Sequence, residues 1–458
     1  MSTESPEFKS LYKKQLSNHQ LRENLSKATL QSVEKRNKSF EGISFEYLRN
    51  QARQIKLEAL SRLNEYLAQF EDNAIRNGCS VFYASTASNA REYILEVARS
   101  IGSRLIVKSK SMVTEEIELV PFLEKNHINT VETDLGEYIV QLAGERPSHI
   151  TTPAIHKSRY EISELFQSKL GAEKKTDPQF LTSIARQILR EKFLNADMGI
   201  SGANFLIAET GDVVIVENEG NARLSTSSPK VHLVVTGIEK ILPRFSDLRI
   251  FLRLLGRSST GQKLTSYTSI LRSPRTSEEL DGPDALHIVI LDNGRTNLLG
   301  TEYQEILNCI RCGACLNVCP VYRKVGGHAY GSVYPGPIGS LVTPLYSSME
   351  KGRDLAFAST LCGNCTEVCP VGIDIHHHLL KLRSDLNKKH KHFAEKFLIN
   401  QFTKVSLRPG LFSFLGDAAR FLSSLHLLKF FLKSWSKERS VPDLPGKSFK
   451  KDIAKVKP

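Results

Sequence analysis

The chain has 458 residues, 40% of them apolar and 24% charged, a balance that fits a globular protein of two or three domains and excludes a disordered or fibrous one. Its net charge of +13 is lopsided, with 18 Lys and Arg against 6 Asp and Glu between Lys381 and Pro458, a net +12. That basic arm fits a membrane surface, an acidic partner or plain solvation; it carries no nucleic-acid signature, so no nucleic acid is expected.

Residues 1–72 are polar, Leu-punctuated and almost free of proline, which predicts an N-terminal helical region. The start, MSTESPEFKSLYKKQLSNHQ, has no secretory signal, and no apolar run is long enough to span a bilayer. Residues 73–300 read as one α/β domain. GCSVFYAS, SNAREYILEVARSIG and SRLIVKSKS form a strand, a helix and a strand; HINTVETDLGEYIVQLAG and SHITTPAIH repeat the alternation. Further on, Thr210-Gly211-Asp212 turns between two apolar strands, and PKVHLVVTGIEKILP and HIVILDNGR add more, with a polar loop expected near Ser258 to Asp284. No glycine-rich phosphate loop accompanies these strands, so neither NAD nor flavin is signalled. Cys79 reads as a small buried hydrophobe.

Residues 301–390 hold the other seven cysteines, as Cys309-x2-Cys312-x2-Cys315-x3-Cys319-Pro320 and Cys362-x2-Cys365-x3-Cys369-Pro370. Two-residue gaps let one turn aim three thiolates at one face of a cubane cluster, and in two-cluster ferredoxins the cysteine before proline serves the other cluster. That crossing gives Cys309, Cys312, Cys315 and Cys369 to a first [4Fe–4S] cluster, and Cys319, Cys362 and Cys365 to a second. Ser359 stands where the second run's first cysteine would be, so the second cluster is three-thiolate. Its fourth iron is held by serine or solvent, is open to a partner, or is absent, as in [3Fe–4S]. A disulfide framework suits short secreted chains, and zinc would bring paired knuckles or histidines at finger spacing. One cluster would serve as a structural staple, whereas two wired together form a conduit for electrons. Thiolate ligation also calls for a reducing compartment, the cytoplasm.

Around the cysteines the pattern is helical, with a Gly/Pro/Tyr-rich loop, GGHAYGSVYPGPIGSLVTPL, between the runs. His376, His377 and His378 are expected to serve helix surface and packing, since adjacent residues point to different sides of a helix. Residues 391–458 form a basic C-terminal region, in which Leu411, Phe414, Leu415, Ala418, Phe421, Leu422, Leu425, Leu428, Leu432 and Trp435 make the stripe of an amphipathic helix. It is expected to dock on the core, on a partner subunit or peripherally on the inner membrane face.

Taken in order, DMGISGANFLIAETGDVVIVENEGNARL, CIRCGACLNVCPVYR, STLCGNCTEVCPVGIDI and SWSKERSVPDLPGKSF resemble the lactate utilization protein B family over nearly the whole chain. The resemblance implies an α/β LUD domain, similar in fold to sugar isomerases and coenzyme A transferases, followed by an α-helical ferredoxin domain with two iron–sulfur clusters. It implies an electron carrier in the oxidation of L-lactate to pyruvate, supporting growth on lactate. The companions it implies are a cysteine-rich subunit and a second, smaller LUD protein, and a quinone is a fitting acceptor. Ser359 suits the family, whose second run is similarly short of a cysteine. Lactate oxidation also needs a base for the hydroxyl proton, and Glu217 and Glu219 at a strand end are candidates by position, against the plainer role of binding loop amides. Two other classes of reading remain: the LUD domain as an isomerase-like or transferase-like enzyme in its own right, and the clusters as a redox sensor.

Overall fold

The computed structural model describes residues 8–350, 352–389 and 393–424, with 444–446, 449 and 453. Among these residues there are ten strands: β1 (Ser80–Ala84), β2 (Leu105–Lys108), β3 (Asn129–Glu132), β4 (Met198–Ser201), β5 (Phe205–Ile207), β6 (Asp212–Glu217), β7 (Val231–Gly237), β8 (Ile241–Leu242), β9 (Tyr267–Leu271) and β10 (Ala285–Leu291). Six of them form one all-parallel sheet in the order β1-β10-β7-β4-β2-β3. A parallel sheet must be covered on both faces, which is why its central strands are apolar without alternation. Leu233, Val235 and Leu291 pack on one side with Ile94 of the helix Ala87–Ser100, while Val234, Ile288 and Ile290 pack on the other with Phe70 of the helix Leu63–Arg76. The other four strands form a smaller mixed sheet, β8-β5-β6-β9, in which Thr210 and Gly211 turn β5 into β6.

Three stretches depart from the sequence expectation. SHITTPAIH forms no strand: His149 Nδ1 accepts the amides of Thr151 at 3.1 Å and Thr152 at 3.2 Å, a local bonding pattern that competes with a ladder. The polar stretch after Ser258 contains β9, an edge strand whose solvent-facing residues hide its period. The loop between the cysteine runs contains a helix, Gly336–Tyr346, opened by Pro337 in the first turn, where its missing N–H is harmless. Cys79 is buried as expected, with Sγ 3.3 Å from the Arg272 carbonyl oxygen.

The N-terminal helices His19–Ser39 and Phe45–Ser61 share one core with the cysteine region: Leu21, Leu25, Leu48 and Ala52 cluster with Leu316, Val371 and Leu379. Residues 387–458 form a separate compact unit. Its described helices are Phe393–Ser406 and Pro409–Ser424; the second carries the first part of the expected stripe, with Phe414 exposed, while Leu425, Leu428, Leu432 and Trp435 lie outside the described residues.

One buried network joins the parallel sheet to the cysteine region. Arg295, just after β10 and fully buried, donates from Nε to Glu239 at 2.7 Å and from Nη2 to Glu116 at 2.8 Å, and lies 4.6 Å from the centre of the Tyr346 ring. Tyr334 donates its hydroxyl to Glu116 at 2.6 Å. Arg311, between two cysteines of the first run, lies 4.5 Å from the Tyr334 ring centre and 3.9 Å from Glu239. Burial alone would raise the Glu239 carboxyl, but Arg295, Lys240 and Arg311 outweigh it and hold it down at about 2. Gly237 makes room for this arrangement, since a Cβ there would lie 2.0 Å from the Glu239 carboxylate and 2.7 Å from Arg295 Nε. Removing one partner strands the others as buried charges, so Arg295→Met is expected to cost about 3–5 kcal/mol, read as a lowered denaturation midpoint of the cluster-loaded protein.

Candidate metal centre and adjoining cavity

The two cysteine runs fold by the same backbone device. Gly313 and Gly363 follow the second cysteine position of each run at φ +76° and +85°, and the residues before that position, Arg311 and Leu361, also have positive φ, +59° and +56°. Side chains rarely adopt that conformation, so its use twice at the same place marks a turn held by function. The Arg311 amide donates to Cys309 Sγ at 3.4 Å, and the Leu361 amide donates to Ser359 Oγ at 3.1 Å. Ser359 therefore holds in the second turn the place that Cys309 holds in the first.

Cys309, Cys312, Cys315 and Cys369 line one pocket, closed by Ile150, Ile310, Ile338, Val371 and Ile373. Burial pushes the Cys312 thiol up to about 12, with Cys309 and Cys369 adding to the shift and Arg36 opposing it. Burial likewise raises Cys365 to about 12, with Cys319 and Cys362 adding. Cys369 is thus grouped with the first run and Cys319 with the second. Cys315 is raised by burial first, then by Cys309, Cys312 and also Cys365; the short helices Ala314–Asn317 and Asn364–Glu367, which carry Cys315 and Cys365, pack against each other. Further amides face the sulfurs: Ile373 N donates to Cys369 Sγ at 3.4 Å and Tyr322 N to Cys319 Sγ at 3.5 Å. Soft donors, amide bonds to sulfur and an apolar wall are what an iron–sulfur cluster requires, so these residues fit one.

The N-terminal helices brace the second run. Arg36 donates to the Val368 carbonyl at 3.3 Å, Arg49 to that of Thr366 at 2.8 Å, and Arg53 pairs with Glu305 at 2.6 Å. Glu305 also meets His378 at 3.1 Å and the Asp374 amide at 3.1 Å. His376 bonds Thr366 at 2.7 Å, and His377 bonds Asp374 at 2.7 Å. The three histidines thus serve the start of the helix Ile375–Lys389, as the sequence suggested, although His376 and His377 do come together over Asp374, their ring centres 4.0 Å apart.

Beside the first run, at the carboxyl ends of β2, β4 and β6, lies a cavity of about 380 Å³. Ligands of open α/β sheets bind at such strand ends. Lys110, Lys240 and Arg311 line it, with Asp134, Glu217, Glu219, Asn204, Asn221 and Tyr334. Glu217 accepts the amides of Ala222 at 2.8 Å and Arg223 at 2.7 Å, the plainer role weighed for it, while Glu219 accepts the Leu135 amide at 3.2 Å. Burial raises both carboxyls. Burial lowers Lys240 to about 8. Sequence reasoning missed Lys110, Lys240 and Arg311. Arg311 carried the one available signal, its place between two cysteines.

Family models match at two places: a LUD domain at residues 67–291 and a 4Fe-4S dicluster domain at residues 305–373. The lactate utilization protein B of Geobacillus kaustophilus is 48% identical over 373 residues, covering 81% of this chain and 78% of its own, and that of Oceanobacillus iheyensis is 45% identical over 395 residues, covering 86% and 81%. The chain belongs to the lactate utilization protein B family. An uncharacterized electron transport protein of Escherichia coli is 40% identical over 459 residues, covering 98% of this chain and 97% of its own. A DUF162 family crystal structure from Deinococcus radiodurans covers 50% of this chain and 98% of its own at 13% identity, with a TM-score of 0.30, too slight a likeness to bear on the fold. Family membership thus gives the architecture expected from the sequence, a LUD domain followed by a dicluster domain with cysteines suited to iron–sulfur binding. Among the described residues no helix is long and apolar enough to cross a membrane.

A side chain at Gly313 would strain the first turn, since its Cβ would be both at positive φ and 3.2 Å from the His149 ring. Gly313→Ala is expected to cost about 1–3 kcal/mol of strain and to lower iron content per chain, measured by iron assay after anaerobic purification.

Proposed function

We propose that the chain is the iron–sulfur electron-transfer subunit of a complex that oxidises L-lactate to pyruvate and so supports growth on lactate. The observation that carries this reading is the adjacency of the two cysteine groups, whose Cys315 and Cys365 stand on the packed short helices Ala314–Asn317 and Asn364–Glu367, next to a polar cavity at the strand ends of the LUD domain. The relatives' shared name, lactate utilization protein B, supports the substrate. Lactate oxidation releases two electrons and two protons, and two clusters, when bound, accept the electrons one at a time. Cys309, Cys312, Cys315 and Cys369 are the proposed ligands of a [4Fe–4S] cluster, and Cys319, Cys362 and Cys365 those of the second, [4Fe–4S] or [3Fe–4S], with Ser359 Oγ at its open corner. The remaining residues position these ligands and bury five of the seven, while Cys309 is half-buried and Cys362 is exposed.

A cysteine-rich subunit, a second LUD protein and a quinone acceptor complete the proposed complex, and the exposed apolar side chains of the C-terminal helices, Phe402 and Phe414 among them, suit docking on such partners. The cytoplasm is the proposed location because the ligands must stay reduced, with at most peripheral contact at the inner membrane face.

L-Lactate added to the anaerobically assembled complex should bleach the visible absorbance of this subunit's clusters; persistence of the colour with active partners present would overturn the reading. Cys369→Ala should abolish the spectroscopic signal of the cluster held by the first run. An effect on the other signal alone would refute the crossed ligand assignment. Ser359→Cys should make the second cluster more resistant to mild oxidant, scored by loss of the [3Fe–4S] resonance; an unchanged response would remove Ser359 from the open corner.

A further inference from the structure

Two cations that line the strand-end cavity carry buried donors with no hydrogen-bond partner. Lys110 Nζ is out of contact with solvent and has no hydrogen-bond partner; its nearest carboxylate, Glu137, is 3.9 Å away, beyond hydrogen-bond length. Arg311 Nη1 is likewise buried and unpartnered, while its Nη2 is occupied by Tyr346 Oη at 3.4 Å. Leaving a buried donor unmet is costly, more so for a charged one, and the cost is relieved when a ligand supplies the acceptor. Both cations lie in the same cavity, and its size, about 380 Å³, is that of a small-molecule site. An open groove of about 830 Å³ shares Asp134, Thr151, Thr152 and Glu219 with it and provides an entry.

We propose that this cavity is the binding site of a small 2-hydroxycarboxylate and of the corresponding 2-oxocarboxylate, so that this chain, not only its partners, holds the substrate. The carboxylate of the ligand takes the free donors of Lys110 and Arg311, which suits an anion with two acceptor oxygens. Glu219, on the side of the cavity that opens to the groove, accepts the hydrogen bond of the ligand's 2-hydroxyl group. Arg311 belongs both to this cavity and to the turn between Cys309 and Cys312, so a ligand bound to it lies against the first cysteine group. The inference rests on the electron-transfer reading for the identity of the ligand and on the two donors without a hydrogen bond, Lys110 Nζ and Arg311 Nη1, for its place.

The test is calorimetric titration of the full-length, cluster-loaded protein with L-lactate and pyruvate, with acetate and inorganic phosphate as controls. Lactate and pyruvate should bind, acetate more weakly. Lys110→Met should weaken both by roughly tenfold or more, the effect of one charge-assisted hydrogen bond, with iron content unchanged. Arg311→Lys, which keeps the charge but loses the planar donor pair, should weaken both as well. Glu219→Gln should weaken lactate more than pyruvate, because pyruvate has no hydroxyl proton to donate; a purely structural role would affect the two alike. Unchanged affinity in Lys110→Met, or phosphate binding as tightly as pyruvate, would overturn the proposal. Absence of carboxylate binding by a protein whose clusters dithionite reduces would sink it while sparing the electron-carrier reading, whereas carboxylate binding by a protein without reducible clusters would do the reverse.

Discussion

The guanidinium of Arg295 is the constraint on which the rest depends. Fully buried, it is tolerable only because Glu116 and Glu239 both reach it within 2.8 Å; those carboxylates are in turn held by Tyr334 and Arg311, and Lys56 donates to the Glu239 backbone carbonyl. Glu116 comes from the segment after β2, Glu239 from the segment after β7, Arg295 from the segment after β10, and Tyr334, Tyr346 and Arg311 from the cysteine region. A network of this kind acts as a lock of register: no member can leave without exposing a buried charge. The cysteine turns are thereby set at a fixed depth against the ends of the parallel strands.

From that lock follows the position of everything chemical. Arg311 occupies the left-handed position of the first turn, pinned between Tyr334 and Glu239, and lines the strand-end cavity with one nitrogen left without a hydrogen bond. The second turn repeats the backbone with Leu361 in place of arginine and serine in place of cysteine. The two turns differ in charge and in ligand number while sharing geometry, so the two cysteine groups sit in unequal surroundings: Arg311 and, from an N-terminal helix, Arg36 act on the first, while the second has Leu361 at the matching place and an exposed cysteine, Cys362. Since hydrogen bonds and nearby charge set the potential of a cluster, clusters held by these two groups would differ in potential.

The sequence by itself carried the metal chemistry, because cluster ligation needs thiolates at short fixed intervals and that spacing is a property of the chain. It carried the parallel strands too, since a strand buried on both faces reads as a continuous apolar run, as VHLVV and HIVIL do. Local reading failed where a segment answers to a distant partner: SHITTPAIH looks like a strand until His149 takes the amides of its own loop, and YTSIL looks like a loop until β6 pairs with it. Only the tertiary structure brought Lys110, Arg311 and Glu219 to one cavity across 201 positions of chain. Nor could the sequence reveal that Arg295 is buried and paired, or that helices from residues 19–61 brace cysteines beyond residue 360. Those are long-range contacts, fixed by the burial of charge and apolar area together, and neither leaves a period in the chain.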